Sequence, residues 1–476
     1  MDFTEQLQIL KAVQGDPARL VLAAVDLGHG TLPEAGRAVL KAALEAAAVP
    51  HWVDETILAA LLETTAEESA QLLARLRALS VVEPFPARGQ GAVNVHEASR
   101  LALREMLRRE QPERFATLSA RARAVFAGKK EAALRIEALY LLFATDPDAA
   151  VAEWETLSRY TTHPQEKEGI ATALGELLAA GWLIGAAKAA AILARAWVRR
   201  GRGEEAQLET PAREAISLAK EAGRQTILGD AHCLLGDVLR TKNKLHEALG
   251  AFRTYLAIFE GLAGQNPSNA GWQRELAVAH SRVGAILKAQ GKLEDSLEAS
   301  RTGLAIFGRL AGQDPTNTGL QHDLAVAHSQ MGDILQAKGK LEEALEAFRT
   351  YLAIFGRLAR QDPSNAGWQR ELALAHSRVG DILKAQGKLE EALEAFRTYL
   401  AIFGRLAHQD PSNADWQRDL ASAHWRVGVT LRQQGQLSDA DESLRKAVGE
   451  MERAVAMAPE NPGWHQDLEK LRGWLR

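Results

Sequence analysis

The chain has 476 residues, of which 46% are hydrophobic, 25% charged and 6% aromatic, enough apolar material for several packed, soluble domains. A formal charge of -4 excludes a general attraction to nucleic acid or to an anionic membrane, since both need a basic surplus. One cysteine, Cys233, excludes a disulfide framework and a thiolate zinc site and fits a reducing compartment, so the cytoplasm is the expected location.

At the N-terminus, Asp2 and Glu5 stand where a secretory leader would carry Lys or Arg, and export is not expected. Residues 1–32 read as a short helical segment. Over 33–110 three short helices, the third at 66–78, lead into an apolar run at 81–85. A polar loop at 86–91, a second run at 92–95 and a helix at 97–109 come next. Helix, helix, helix, strand, wing, strand, helix is winged-helix order. The third helix sets Glu67 and Glu68 against Arg75 and Arg77, and 34–110 holds 11 acidic against 9 basic residues. That balance cannot neutralise several phosphates, so nucleic acid is not an expected partner.

Residues 111–221 read as irregular helical hairpins, for example 132–144 with 148–160 and 186–200 with 210–222. The most membrane-like run, 177–194, is built largely of Ala and Gly, contains Lys188 and is followed by Arg195, Arg199 and Arg200. It is expected to be buried helix-pair material rather than a span.

From 222 to 476 a fixed period dominates. Gly236, Gly284, Gly332, Gly380 and Gly428 are 48 residues apart, as are His232, His280, His328, His376 and His424, and Pro267, Pro315, Pro363, Pro411 and Pro459. Apolar residues recur at three- and four-residue steps on both sides of Gly339, which predicts two amphipathic helices (A, then B) and a tight turn in each unit. Gly291, Gly339, Gly387 and Gly435 occupy that turn, with Asn243 in the first unit, the other residue that tolerates a left-handed backbone. A Pro and, two residues later, an Asn stop helix B and cap the next helix A. Residues 467–476 should cover the open end of the stack.

Gly332, Leu335, Gly339, Ala344 and Phe348 resemble, in order, the pattern of the tetratricopeptide repeat. The family unit has about 34 residues, and the surplus places about seven extra residues, two turns, in each helix. The resemblance, which covers about 222–476, implies an all-α solenoid of helix pairs near 20 residues long; the element order over 33–110 puts a winged-helix domain ahead of it. The repeat departs from the pattern at Tyr351, where the family keeps a small residue. In such folds the A helices line a concave surface that takes a protein or peptide partner. Carried onto this chain, the groove positions are Cys233, Asp237 and Arg240; Ser281, Ala285 and Lys288; Ser329, Asp333 and Gln336; Ser377, Asp381 and Lys384; and Trp425, Val429 and Arg432. This lining suits a segment of alternating charge with one bulky anchor, for which Trp425 is the candidate hot spot; the alternative is that Trp425 caps the solenoid core. Charge reversal at Asp333 and Asp381 together is expected to abolish partner capture and leave thermal unfolding nearly unchanged.

A second resemblance is to the STAND class of signal-transduction ATPases. Val95-His96-Glu97 looks like the Met-His-Asp motif that ends the winged helix of that class, and Gly15-Asp16-Pro17-Ala18-Arg19-Leu20 looks like its Gly-x-Pro helix start. The resemblance implies nucleotide-sensing roles for Pro17 and His96, with 1–32 as the end of a STAND-like helical domain. No Gly-x-x-x-x-Gly-Lys-[Ser/Thr] cradle occurs. The nucleotide-binding domain is then on another polypeptide, lost, or part of a longer chain. The role this resemblance implies is that of a sensor or scaffold in signal transduction, in bacterial defence or in control of an effector protease. The alternatives are a regulatory subunit of a separate ATPase or protease and, third, a transcriptional regulator.

No catalytic, cofactor or metal site is expected. The five His are too far apart on stacked helices to share a metal, and helix packing with one ring nitrogen bonded to a neighbour is expected of them. Cys233 follows His232, but adjacent helix residues point in different directions and no orienting third group is evident in the sequence, so a catalytic thiol is not expected.

Overall fold

In the computed structural model the described residues are 8, 10–160 and 164–475. Asp2 and Glu5, on which the reading of the N-terminus rests, lie outside them. The chain divides into two compact units, Met1–Leu235 and Gly236–Arg476.

In the first unit, α1 (Pro17–Gly28) starts at Asp16, whose carboxylate accepts from the Arg19 backbone N–H at 3.0 Å. Next in the chain are helices α2 (Glu34–Ala47), α3 (Glu55–Leu62) and α4 (Ala66–Leu76). Thr65 and Glu68 form a reciprocal capping box that fixes where α4 begins. Strands β1 (Val82–Pro84) and β2 (Val93–Val95) pair antiparallel with Val82 opposite Val95, and Val53 bridges to Val93. The connection that reads as a polar loop contains a short 3-10 turn, Pro86–Arg88.

Helices α5 (Glu97–Glu110), α6 (Pro112–Phe126), α7 (Ala132–Thr145), α8 (Pro147–Tyr160), α9 (Pro164–Ala179), α10 (Gly185–Gly201) and α11 (Glu209–Glu221) complete the unit. The apolar run 177–194 is broken at Gly181, whose φ of +72° ends α9 before α10 begins. Among the described residues no helix is long and apolar enough to cross a membrane.

Helix α12 (Gln225–Thr241) leads into pairs of nearly constant length: α13 (Leu245–Gln265), then α14 (Ala270–Ala289) with α15 (Leu293–Gln313), α16 (Thr318–Ala337) with α17 (Leu341–Gln361), α18 (Ala366–Ala385) with α19 (Leu389–Gln409), and α20 (Ala414–Gln433) with α21 (Leu437–Met457). The A helices from α14 onward have 20 residues and the B helices 21, as the lengthened repeat predicts. Each unit is punctuated as expected. The carboxamides of Asn269, Asn317, Asn365 and Asn413 accept from the backbone N–H three residues on at 3.0–3.2 Å. Asn243, at φ +56°, takes the left-handed turn that Gly339, at +75°, makes two units later. Helix α22 (Pro462–Gly473) covers the last pair with Leu468 and Leu471.

The core runs between the pairs as a column of rings, Phe348, Phe355, Phe396 and Phe403, none more than 1% exposed. Gly332 and Gly380 explain how helix A approaches that column. A Cβ at Gly380 would lie 2.6 Å from the Phe396 ring, so only hydrogen fits there. Tyr351, the departure from the family pattern, packs edge-to-face on Phe355 with centroids 5.3 Å apart. Its hydroxyl donates to the Glu371 carboxylate of the next unit's helix A at 2.7 Å.

Candidate functional site

The A-helix face is built by side chains that bond across successive repeats. Asp333 meets Arg378 at 3.3 Å and Lys288 at 3.5 Å, Asp381 pairs with Arg426, and Asp237 meets Arg282 at 3.3 Å. In each case an Asp of one unit faces an Arg 45 residues later, one A helix on. Where the acid is missing, at Ala285, the partner is missing too, at Gln330. Asp237 is 1% exposed. These carboxylates are rungs of the solenoid, which corrects the expectation that Asp333 and Asp381 can be reversed in charge with little effect on unfolding. Burial holds the Asp381 carboxyl above its usual range, against the pull of Arg426.

Ser281 and Ser377 are buried, Ser329, Gln336, Lys288 and Lys384 are half-buried, and Arg240 is exposed. Burial lowers the Lys384 ammonium, opposed by Asp381. Trp425 and Arg432 belong to the end of the stack. The Trp425 ring lies 6.3 Å from Trp474 against the Ala421, Met451 and Leu468 cluster, and Arg432 donates to the Trp474 carbonyl at 2.9 Å and to Asp441 at 2.6 Å. In the first unit Pro17 is the first residue of α1 and His96 caps α5; both are exposed.

The His ladder differs from expectation. His232 Nδ1 and His424 Nδ1 are buried with no hydrogen-bond partner. Burial lowers all five rings, His424 to about 4. Burial thus disfavours the charged form of each ring.

A hollow on this face, lined from the last three repeats, has a volume of about 430 Å³. Four guanidiniums line it, Arg370 and Arg378 from α18 and Arg418 and Arg426 from α20, together with the carboxylates of Glu371 and Asp419, the rings of Tyr351 and Tyr399, and Ser329, Ser377 and Ser422. Arg378 and Arg426 are held by the Asp rungs. Arg370 and Arg418, each 43% exposed, reach their acidic neighbours only at 3.3–3.7 Å. Both guanidiniums line the hollow beside those carboxylates, and Arg370 Nη1 donates to Glu371 at 3.3 Å. The Asp419 carboxyl, which lines the same hollow, is raised by burial despite Arg370 and Arg418, and the Tyr399 hydroxyl is raised to about 12 by burial and by Asp419.

Of the groove residues expected from the sequence, only Ser329 and Ser377 line this hollow. The four Arg lie on neighbouring turns of the same helices. A signal for them existed: Arg370 with Arg418, and Arg378 with Arg426, recur at the repeat period, whereas the third unit has His322 and Gln330 in those slots and the second has Gly303 where Tyr351 stands. The hollow forms where two fully equipped units adjoin.

The tetratricopeptide repeat profile matches residues 323–398, within the units that build this hollow. The fold is a tetratricopeptide-like solenoid. A solved STAND signal-transduction ATPase from Pyrococcus horikoshii, which carries a tetratricopeptide repeat sensor, superposes with TM-score 0.57 at 12% identity, covering 100% of this chain and 70% of that one. BtubC from P. vanneervenii (TM-score 0.41, 17% identity, 56% of this chain and 93% of that one) is also similar. So is a putative kinesin light chain with nearly identical tetratricopeptide-like repeats from Podosopora anserina (0.35, 17%, 48% and 96%). No curated protein matches the chain by sequence. Tetratricopeptide-like solenoids of this kind are protein-interaction scaffolds.

Proposed function

We propose that this chain is a non-enzymatic interaction module that holds an acidic stretch of a partner protein against the A helices of its last three repeats. The observation that carries the proposal is the hollow itself: four guanidiniums against two carboxylates, Glu371 and Asp419, line a space of about 430 Å³, and Arg370 and Arg418 reach those acids only at 3.3–3.7 Å. Guanidinium pairs carboxylates through two parallel N–H bonds, and a partly enclosed site strengthens them. Asp333 and Asp381 support the site from behind by fixing Arg378 and Arg426. The test uses the whole chain and fluorescently labelled Glu-rich and Lys-rich peptides of equal length. The Glu-rich peptide binds, more weakly in high salt, and Arg370→Ala with Arg418→Ala weakens it about tenfold or more. Equal binding of both peptides, or no effect of the double substitution, overturns the assignment.

The setting we propose is a STAND-like signalling system of the bacterial cytoplasm, with this chain as sensor arm in defence and the ATPase or an effector protease as a separate polypeptide. Support comes from Val95-His96-Glu97, from the helix start at Pro17, from the helix-strand-strand-helix order over 34–110, and from the likeness in fold to the Pyrococcus horikoshii protein. In this reading residues 33–110 are a winged helix and 222–476 the sensor. Capture of the intact chain from its native extract then recovers a nucleotide-binding or protease subunit, and that recovery is lost with the Arg370 and Arg418 substitutions if the hollow is the docking site. A regulatory subunit of one stable enzyme complex gives stoichiometric recovery from resting cells; a triggered sensor gives it only under stress or infection. Gel retardation of duplex DNA by residues 34–110 would favour a transcriptional regulator instead.

A further inference from the structure

The first unit contains a buried polar cluster that plays no part in the hollow. His51 sits in the connection between α2 and α3, where its backbone N–H donates to Glu137 of α7 at 2.8 Å. Its ring lies between two carboxylates: Nδ1 is 2.9 Å from Glu137 and Nε2 is 3.5 Å from Glu176 of α9. Tyr140, also on α7, packs its ring 4.2 Å from the imidazole and donates its hydroxyl to Glu176. From α5, Arg100 bonds Glu176 and Tyr140, and Arg104, fully buried, donates to the Val49 carbonyl beside His51 and lies over the Tyr140 ring.

A neutral imidazole has one donor and one acceptor nitrogen, and its acceptor lone pair would face a carboxylate here; only the imidazolium donates at both ends. We propose that His51 is a proton-operated latch, whose imidazolium ties the segment carrying the two-stranded ribbon to α7 and α9 and whose deprotonation releases that tie. Five groups face the ring from the elements packed on it: Glu137, Tyr140, Glu176, Arg100 and Arg104. Burial and Arg100 oppose the proton, but Glu137 and Glu176 outweigh them and hold the ring above its ordinary value of 6.5. Glu137 is held below the usual carboxylate range, since His51 and Arg100 outweigh its burial, and Glu176 well below it on the same account. Because folding raises the imidazole, the tie is complete below 6.5 and is lost as pH rises through the higher value of the folded ring. When the latch opens, the neutral ring keeps one donor and can hold Glu137 or Glu176 but not both; Glu176 keeps Arg100 and Tyr140 in either case, so the connection at 48–53 loses one of its two ring ties.

The experiment is hydrogen exchange of the whole chain read by mass spectrometry, corrected for the intrinsic pH dependence of exchange, at about pH 6 and about pH 8.5. Peptides covering 48–53 and 132–145 exchange about fivefold faster or more at the higher pH, while those from α18 do not change. His51→Gln, which cannot take up a proton, exchanges alike at both. Should that variant fail to fold, Glu176→Gln serves in its place: removing the carboxylate at Nε2 moves the step in exchange to lower pH. Wild-type rates at 48–53 that do not depend on pH, or a step unmoved by Glu176→Gln, overturn the latch.

Discussion

Asp381 and Arg426 stand 45 residues apart in sequence and form an ion pair between adjacent A helices, each side chain about one-quarter exposed. The same relation links Asp333 to Arg378, so the pairing is a property of the repeat rather than of one site. Removing either partner leaves a half-buried charge without its counterion, and removing both does not. Asp381→Ala and Arg426→Ala should each destabilise the solenoid by about 1–2 kcal/mol, and the double substitution by less than their sum. Urea denaturation of the four proteins closes the cycle; strict additivity would show that the pair contributes nothing.

Gly380 and Gly387 lie seven residues apart and should respond to alanine for different reasons. At Gly380 the new methyl meets the buried Phe396 ring at 2.6 Å, an overpacking that costs about 1–3 kcal/mol. At Gly387 there is open space, but φ is +77°, and the strain of a left-handed alanine costs about 1 kcal/mol. Denaturant midpoints should rank wild type, Gly387→Ala, Gly380→Ala in falling order.

Tyr351 and Tyr399 are repeats of one position with different partners. Tyr351 donates to the Glu371 carboxylate at 2.7 Å, whereas the Tyr399 hydroxyl is 3.4 Å from the Asp419 backbone carbonyl. A hydrogen bond to a charged acceptor is the stronger one. Tyr351→Phe is therefore expected to lose about 1 kcal/mol more stability than Tyr399→Phe. Equal losses would place the contribution of both tyrosines in their rings.

Acid should weaken the packing around the His ladder. Burial lowers these rings in the folded state, His424 to about 4, while an unfolded imidazole takes up its proton near 6.5. The unfolded state then binds more protons between those values, so stability is intact above 6.5 and falls as pH drops toward 4. The urea midpoint should fall from pH 7 to pH 5, and His424→Gln should reduce the fall. His51, with its raised value, has the opposite sign, so it contributes stability that is lost on the alkaline side, whereas the ladder rings contribute stability that is lost on the acid side.

The sequence by itself determined the solenoid. Its period, the Asn caps, the Gly or Asn turns and the helix lengths are all local: each depends on backbone preferences within a few residues, repeated until chance is excluded. Tyr351 stood out as a departure, but its role depended on Glu371, twenty residues away on another helix. Only the tertiary structure decided how the charges of the A-helix face pair. Asp333 and Asp381 read as groove charges from their spacing and became rungs when the Arg of the next unit met them. Arg370 and Arg418, on neighbouring turns, inherited the open hollow. Which side chain bonds within the fold and which is left for a partner depends on distances between helices that no periodicity encodes. His51, a single residue in a connection, gave no sequence signal at all, because the carboxylates that face it come from α7 and α9, more than eighty residues on.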